Sequence, residues 1–451
     1  MDAPSLRYAS YHLHIASLLP HLQRANPSFQ AQLALMRALD SALDLLESAP
    51  TFLHLTVAGG CAVLESYLRL RPEHLERLEA AVQGGQLHLN PFYALPEPAW
   101  HTPEGLIRNL LRGTASAAVF GGAMPVALCL GAAALPEWLP QVLRGFNLQA
   151  VLAESRPAQP LERLWQGDDG THIPRATIHT LATPEALTKD LRDQIASACQ
   201  SGHLLIACQW SEPMSAAAWR DRWSALVQRH RLDVVLHSTP TAFARAALIN
   251  AALTPEHTPQ VRSAQARPSP EALAKVERFL SDTFEPLIVF AALQGHAALP
   301  RQPQRLIAQL WQPIFDRTSE FLSTEAQKAA ESALLGYLTD LQEQAARFAQ
   351  EIGLRSAMNL AQQLAHVDEP RFRLSACKLP DDPMRSGVIL RGRLESDQGA
   401  WIAIRPLRRF ACCESISLAE APSGGALAVA EDGTFRFYAE PRYLYTFWLH
   451  D

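Results

Sequence analysis

The sequence has no surplus of basic charge. Among 451 residues, 40 Lys and Arg face 45 Asp and Glu, a formal net charge of −5. No Lys/Arg block breaks that balance, so a nucleic-acid-binding surface is not expected. The chain also lacks any C-x-x-C pair. Its seven cysteines are scattered, with Cys412 and Cys413 adjacent, a usage that fits reduced thiols and points to the cytoplasm. The opening "MDAPSLRYASYHLHIASLLP" has neither a basic n-region nor an unbroken apolar run, and no signal peptide is expected from it. One uncharged stretch, "TASAAVFGGAMPVALCLGAAALP" (114–136), could be taken for a membrane span. Gly121, Gly122 and Pro125 interrupt it, so a buried helix-turn-strand is expected instead. No internal repeat or low-complexity segment stands out.

What is present is a large apolar fraction, 48%, with 19% charged residues, the balance of a globular chain too long for one ordinary core. The first half alternates strand and helix patterns. Strand candidates are "RYASYHLHI" (7–15), "FLHLTVA" (52–58), "QLHLNP" (86–91), "PVALCL" (125–130), "LQAVLA" (148–153), "HLLIACQW" (203–210) and "LDVVLHS" (232–238). Helical patterns such as "SFQAQLALMRALDSALDLLES" fall between most of them. Two helical patterns open on Thr-Pro-Glu, an N-cap followed by Pro at the first helical position, at Thr102 and at Thr183. Seven such units predict a seven-stranded β/α barrel over residues 1–252, with any chemistry at the strand ends.

Residues 253–271 read as a Pro-rich linker. Residues 272–368 carry long helical patterns, "STEAQKAAESALLGYLTDLQEQAARFAQEIG" among them, and predict an antiparallel helical bundle. From 369 to 451, "GVILRGRLES", "AWIAIRPL", "TFRFYAE" and "YLYTFWLHD" alternate apolar and polar residues between Gly, Pro and Asp. That pattern predicts a small antiparallel β domain. The fold class expected is therefore α/β and multidomain.

Candidate site residues begin with His12 and His14, two apart and so on one face of a strand; the next residue on that face is Ala16. Two imidazoles without a carboxylate read first as packed strand histidines. Glu97, Glu154, Glu212 and Asp316 are the acids from which a catalytic pair could be assembled, each otherwise a cap or rim charge. Trp100, Trp138 and Trp210 could line a sugar cleft by stacking, or fill core. "RPLRR" (405–409) reads as a solvated edge-strand face, and Cys129 as a small buried apolar residue.

Several longer stretches resemble glycoside hydrolase family 38, the retaining α-mannosidases. "YLRLRPEHLERLEAAVQGGQLHLNPFYALPEPAWHTPEGLIRNLLRGTASAAVFGG" is similar to the family's run of a helix, a Gly-Arg-Trp-type strand and an E-x-L-x-R helix. Glu104, Leu106 and Arg108 occupy that last pattern, and Glu97 stands where Asp is usual. "LPEWLPQVLRGFNLQAVLAE" is similar to its Leu-Pro-Gln-Ile-Leu helix and following strand. "VVLHSTPTAFARAAL" resembles its Ser-Thr-Pro-x-x-Tyr-Phe segment, with Phe243 near the aromatic pair. "GVILRGRLES" and "EPRYLYTFWL" resemble the start and end of its C-terminal β region, most of which the shorter length leaves out.

The resemblance implies a zinc held by the His and Asp of an H-x-H-x-D strand, by a second Asp that is also the nucleophile, and by a distant His. A further carboxylate would be the acid/base. Position by position, His14 matches the first ligand and is the sole survivor of the four. Ala16 replaces the next, Leu19 replaces a sugar-lining Trp, Gly131 takes the nucleophile position, and Phe315 takes that of the distant His, beside a retained Asp316. Gln209 and Trp210 stand where the acid/base is expected. Zinc catalysis needs three or more protein ligands, and retention needs two carboxylates about 5 Å apart. The sequence therefore predicts no bound zinc or other cofactor and an α-mannosidase-like pseudoenzyme. Its strand-end cleft, with His12, His14, Glu97, Glu154, Trp210, Glu212 and Asp316 as candidates, would still take a carbohydrate ligand or protein partner. The rivals are an active glycosidase with a shifted set of acids, and a structural or regulatory subunit of an active paralogue. The oligomeric state is left open.

Overall fold

The computed structural model describes residues 10–19, 29–48, 53–130, 135–154, 162–197, 199, 201–209, 215–249, 255–257, 271–297, 299–318, 324–354 and 360–451. Strands β1 (His12–Leu19), β2 (Leu55–Val57), β3 (Leu87–Leu89), β4 (Val126–Cys129) and β5 (Ala150–Glu154) fall on sequence candidates. They alternate with helices α1 (Phe29–Ser48), α2 (Cys61–Leu68), α3 (Leu75–Gln83), α4 (Pro103–Phe120) and α5 (Leu139–Gly145). The uncharged stretch is, as expected, the end of α4, a turn with Gly121 and Gly122 at φ 124° and 119°, and β4. No helix among the described residues is long and apolar enough to cross a membrane.

Beyond β5 the chain departs from the expected pattern. An antiparallel pair, β6 (Glu162–Gln166) and β7 (His172–Leu181), precedes α6 (Lys189–Ala196), β8 (His203–Gln209), α7 (Ala216–Arg229) and β9 (Val234–His237). Strand β7 carried no sequence signal, because Pro174 and Arg175 interrupt its alternation and Pro demotes a strand reading. It is nonetheless a full member of the ring, parallel to β5 on one side and β8 on the other. The ring runs β3-β2-β1-β8-β7-β5-β4, seven parallel strands. Strand β9, expected as the seventh, lies instead beside the first half of β1. The second Thr-Pro-Glu starts only a 3-10 turn, Pro184–Ala186, and Thr188 caps α6 by accepting from Leu191 N at 3.2 Å.

Among the described residues no ladder joins β3 to β4. Met124 N donates to Leu89 O at 2.9 Å, and the fully buried Asn90 side chain spans the gap. Its Nδ2 donates to Ala58 O and Leu128 O, and its Oδ1 accepts from Leu128 N at 3.1 Å. One amide thus replaces several ladder bonds and satisfies buried backbone groups.

After β9 come α8 (Pro240–Ala244), a π turn over 245–249, and β10 (Pro255–His257), which pairs with β6 inside the stretch read as a linker. The following region is helical: α9 (Glu271–Phe279), a π turn, α10 (Glu285–Leu293), α11 (Pro303–Thr318), α12 (Thr324–Glu351) and α13 (Leu360–Leu364). These helices do not enclose a core of their own. Leu273, Ile288, Trp311 and Leu334 share one apolar cluster with Leu55 and Leu87 of the barrel and Leu390 and Phe447 of the C-terminal strands. The predicted bundle is in this respect a helical layer between two sets of strands. The C-terminal strands form two antiparallel sheets. One is β11 (Ala365–Val367), β14 (Ala400–Pro406) and β17 (Phe435–Ala439); the other is β12 (Phe372–Lys378), β13 (Val388–Leu394), β18 (Leu444–His450), β15 (Cys412–Ile416) and β16 (Pro422–Leu427).

Candidate functional site

Strand alternation sends His14, Ala16 and Leu18 into the barrel. Ala16 is 0% exposed and packs in a cluster with Leu128, Leu152, Ile178, Leu205 and Ala207 from the other strands. The segment after β9 supplies the remaining filling: Phe243, Ala244, Ala247 and Leu248 belong to the same cluster. The Ser-Thr-Pro sequence explains its course. Ser238 N donates to Ile15 O, Thr239 caps α8 by accepting from Ala242 N at 3.0 Å, and Pro240 opens the helix. The barrel interior is apolar and filled.

His14 is buried at the edge of that interior. Its Nδ1 lies 2.9 Å from Ser238 Oγ and its Nε2 2.9 Å from His203 Nδ1, with Phe243 edge-on to its ring. The exposed His12 stacks on His203 with ring centres 4.7 Å apart. Burial, then the neighbouring His203 and His12, holds the His14 imidazole down to about 4. His88, on β3, is likewise pushed down to about 4, by burial and then by His54. An unfolded imidazole titrates near 6.5, so between pH 6.5 and 4 the unfolded chain takes up protons that the folded chain refuses. Stability should therefore fall as pH drops through that window, by roughly 3 kcal/mol for each of these histidines, and be steady above it. Urea titrations of wild type and His14→Gln from pH 7 to 4 check this; a variant with the wild-type slope would remove His14 as a source.

The other candidates do not join it. Glu97 is buried, at 2% exposure, and is close enough to the end of β4 that, after burial, it is what raises the Cys129 thiol. Glu154 ends the adjacent strand β5, where its carboxylate accepts from Thr180 Oγ1. Gln209 is exposed. Asp316 is exposed and accepts from Gln312 Nε2 at 2.7 Å. Phe315 packs against Tyr93 and Trp311 and belongs to a different apolar cluster from Ala16. Leu19 and Trp100 are core residues, while Trp138 is half-buried against α5's cluster. Gly131, Trp210 and Glu212 lie outside the described residues.

These residues do not fit a zinc ion. Both His14 nitrogens already have partners, and Ala16 and Phe315 offer no donor atom. Among the described residues, no group of three His, Cys, Asp or Glu side chains is placed to hold a metal.

The E-x-L-x-R residues have a different task. Arg391, on β13 and 0% exposed, donates through Nη1 to Glu104 Oε1 and Oε2 at 2.8 and 2.6 Å, and through Nε to Thr446 Oγ1. Arg108 pairs with Glu104 at 2.9 Å, with Glu285 of α10, and with Asp381 at 3.2 Å. Trp311 Nε1 donates to Glu285 Oε1 at 2.6 Å. Nearby, Glu277 of α9 accepts from Thr102 N at 2.7 Å and pairs with His101 at 2.6 Å. Gly105 lies so close to Glu277 that a Cβ there would fall 2.1 Å from its carboxylate. This buried lattice ties α4 to the helical layer and to the C-terminal sheet. Sequence reading missed Arg391, Glu277 and Glu285; the one signal was a charge inside an apolar run, "VILRGRL".

Known structures agree with this architecture. An α-mannosidase from Enterococcus faecalis V583 superposes with a TM-score of 0.61 at 17% identity, over 97% of this chain and 56% of that one. A glycosyl hydrolase family 38 protein from Enterococcus faecalis gives 0.53 at 17% identity, over 98% and 54%. A protein of Halalkalibacterium halodurans, provisionally named a mannosylglycerate hydrolase, is 32% identical over 87 residues, 19% of this chain and 10% of its own length. No protein-family model matches the chain. In fold, then, the chain is that of the family-38 α-mannosidases, and it spans just over half the length of those two structures.

Proposed function

We propose that the chain is an α-mannosidase-like pseudoenzyme, cytoplasmic and free of zinc, that keeps the scaffold for binding a carbohydrate or a protein partner. One observation carries the reading. The position of the zinc-binding Asp is Ala16, sealed in an apolar interior, while the position of the distant His is Phe315, in another cluster. A carboxylate and a metal have no place in that interior.

Glu97, in a loop near the end of β4, and Glu154, at the end of the neighbouring β5, favour the rival with a shifted acid pair. The test is hydrolysis of an aryl α-mannoside across pH 4 to 8. We expect no turnover above a heat-denatured control. A rate abolished by Glu97→Gln or Glu154→Gln would overturn the proposal in favour of the rival, and an inactive chain that co-purifies with an active paralogue would favour the subunit reading.

A further inference from the structure

Between α4, α11 and the loops at 379–385 and 419–422 lies an open groove of about 640 Å³, within the usual range for small-molecule sites. It is separate from the barrel interior. Its walls are one face of α4, with Leu111, Arg112 and Ala115, and one face of α11, with Ile307, Trp311 and Phe315. Both sets recur at helical spacing of three and four. The floor is charged, and the charges are paired sign against sign. Arg108 meets Asp381 at 3.2 Å, Arg385 meets Asp382 at 3.7 Å, and Glu420 is held by the buried Lys378 at 2.5 Å.

That composition restricts the ligand. An anion would approach Asp381, Asp382 and Glu420, and a cation would approach Arg108, Arg112 and Arg385, so neither gains a net field. A wholly apolar ligand would strip water from all of these groups without replacing its hydrogen bonds. A neutral ring with one apolar face and hydroxyls around its rim suits both halves of the groove. Its hydroxyls can donate to the aspartates and accept from arginine and Gln304. Arg112 adds a specific point: its guanidinium lies 5.0 Å over the Tyr93 ring and pairs with Glu65 at 3.5 Å, which fixes its place on the groove wall.

We propose that this inter-helix groove is a binding site for a neutral saccharide of one or two rings. The site stands whether or not the barrel hydrolyses anything, so the mannoside assay above and the following test fail independently. Isothermal titration with α-mannobiose, maltose, cellobiose and glucuronate should show saturable millimolar binding of at least one neutral disaccharide and weaker binding of glucuronate. Ala115→Trp, at an exposed position on the groove wall, should abolish binding without moving the melting temperature, and Arg112→Ala should weaken it at least tenfold. Should Ala115→Trp not fold, Arg112→Ala and Asp382→Asn decide. No neutral disaccharide bound at tens of millimolar, binding unchanged in these variants, or glucuronate bound more tightly would overturn the proposal.

Discussion

Replacing Arg391 with Met is expected to destabilise the folded chain by about 3–5 kcal/mol, the cost of stranding the partner of a buried ion pair. Arg391 is 0% exposed; its Nη1 donates to both Glu104 oxygens while its Nε reaches Thr446 Oγ1. Burial drives the Glu104 carboxyl up, yet Arg391 and Arg108 outweigh it and hold the group below its usual range. Removing Arg391 leaves the burial cost and subtracts the larger compensation. Methionine keeps most of the volume, so the loss isolates the charge. Adding Glu104→Gln to the first change should recover part of it, because the stranded charge is then gone. Urea unfolding of the two variants gives the answer: a double variant no more stable than Arg391→Met alone would mean that Glu104 is not the group left exposed to the loss.

The second large effect is expected from restoring the family's carboxylate with Ala16→Asp. The site is closed by Leu128, Leu205, Phe243 and Leu248, with His14 two residues away already engaged at both nitrogens. An ionised side chain there has no partner, so the substitution should cost several kcal/mol at pH 7. Extending it with Gly131→Asp and Phe315→His should lower the melting temperature further in chelator. If these positions converged as the resemblance implies, zinc would recover part of the loss by binding the folded state. Phe315 lies in a separate cluster, beside Tyr93 and Trp311, so we expect added zinc to give no such recovery. Thermal melts with and without zinc decide it: a zinc-dependent rise of several degrees would show that these positions converge.

The parts of this fold that are local in sequence were legible, and the parts that depend on distant pairing were not. Alternation and turn residues placed β1 to β5 and β8, and Thr102-Pro103-Glu104 marked the start of α4. The same tripeptide at Thr183 misled, because Leu187 is buried and delays the helix until Thr188. Strand β7 was hidden by Pro174, whose position precedes the first parallel pair at Arg175 and so breaks no bond of that ladder. At the candidate site, His12 and His14 announced themselves by spacing, whereas their partners His203 and Ser238 stand 189 and 224 residues from His14. Arg391 in a strand reads as an outward residue unless one knows that Glu104 waits behind it.

The order of strands around the ring sets an order of events during synthesis. Strands β1 to β3 pair with their sequence neighbours, as do β4 and β5, and β7 joins β5 with only β6 between them, so two half-sheets can form as soon as their residues emerge. Strand β8 alone pairs with both halves, with β7 over 206–208 and with β1 over 203–209. It joins β1 across nearly two hundred residues, a loop whose closure entropy falls due in a single step. Until residue 209 has left the ribosome the β8 edge of the first strand is free, and the half of its other edge that takes β9 stays open until residue 237 emerges. The nascent chain must keep both from other partners for the whole of this interval.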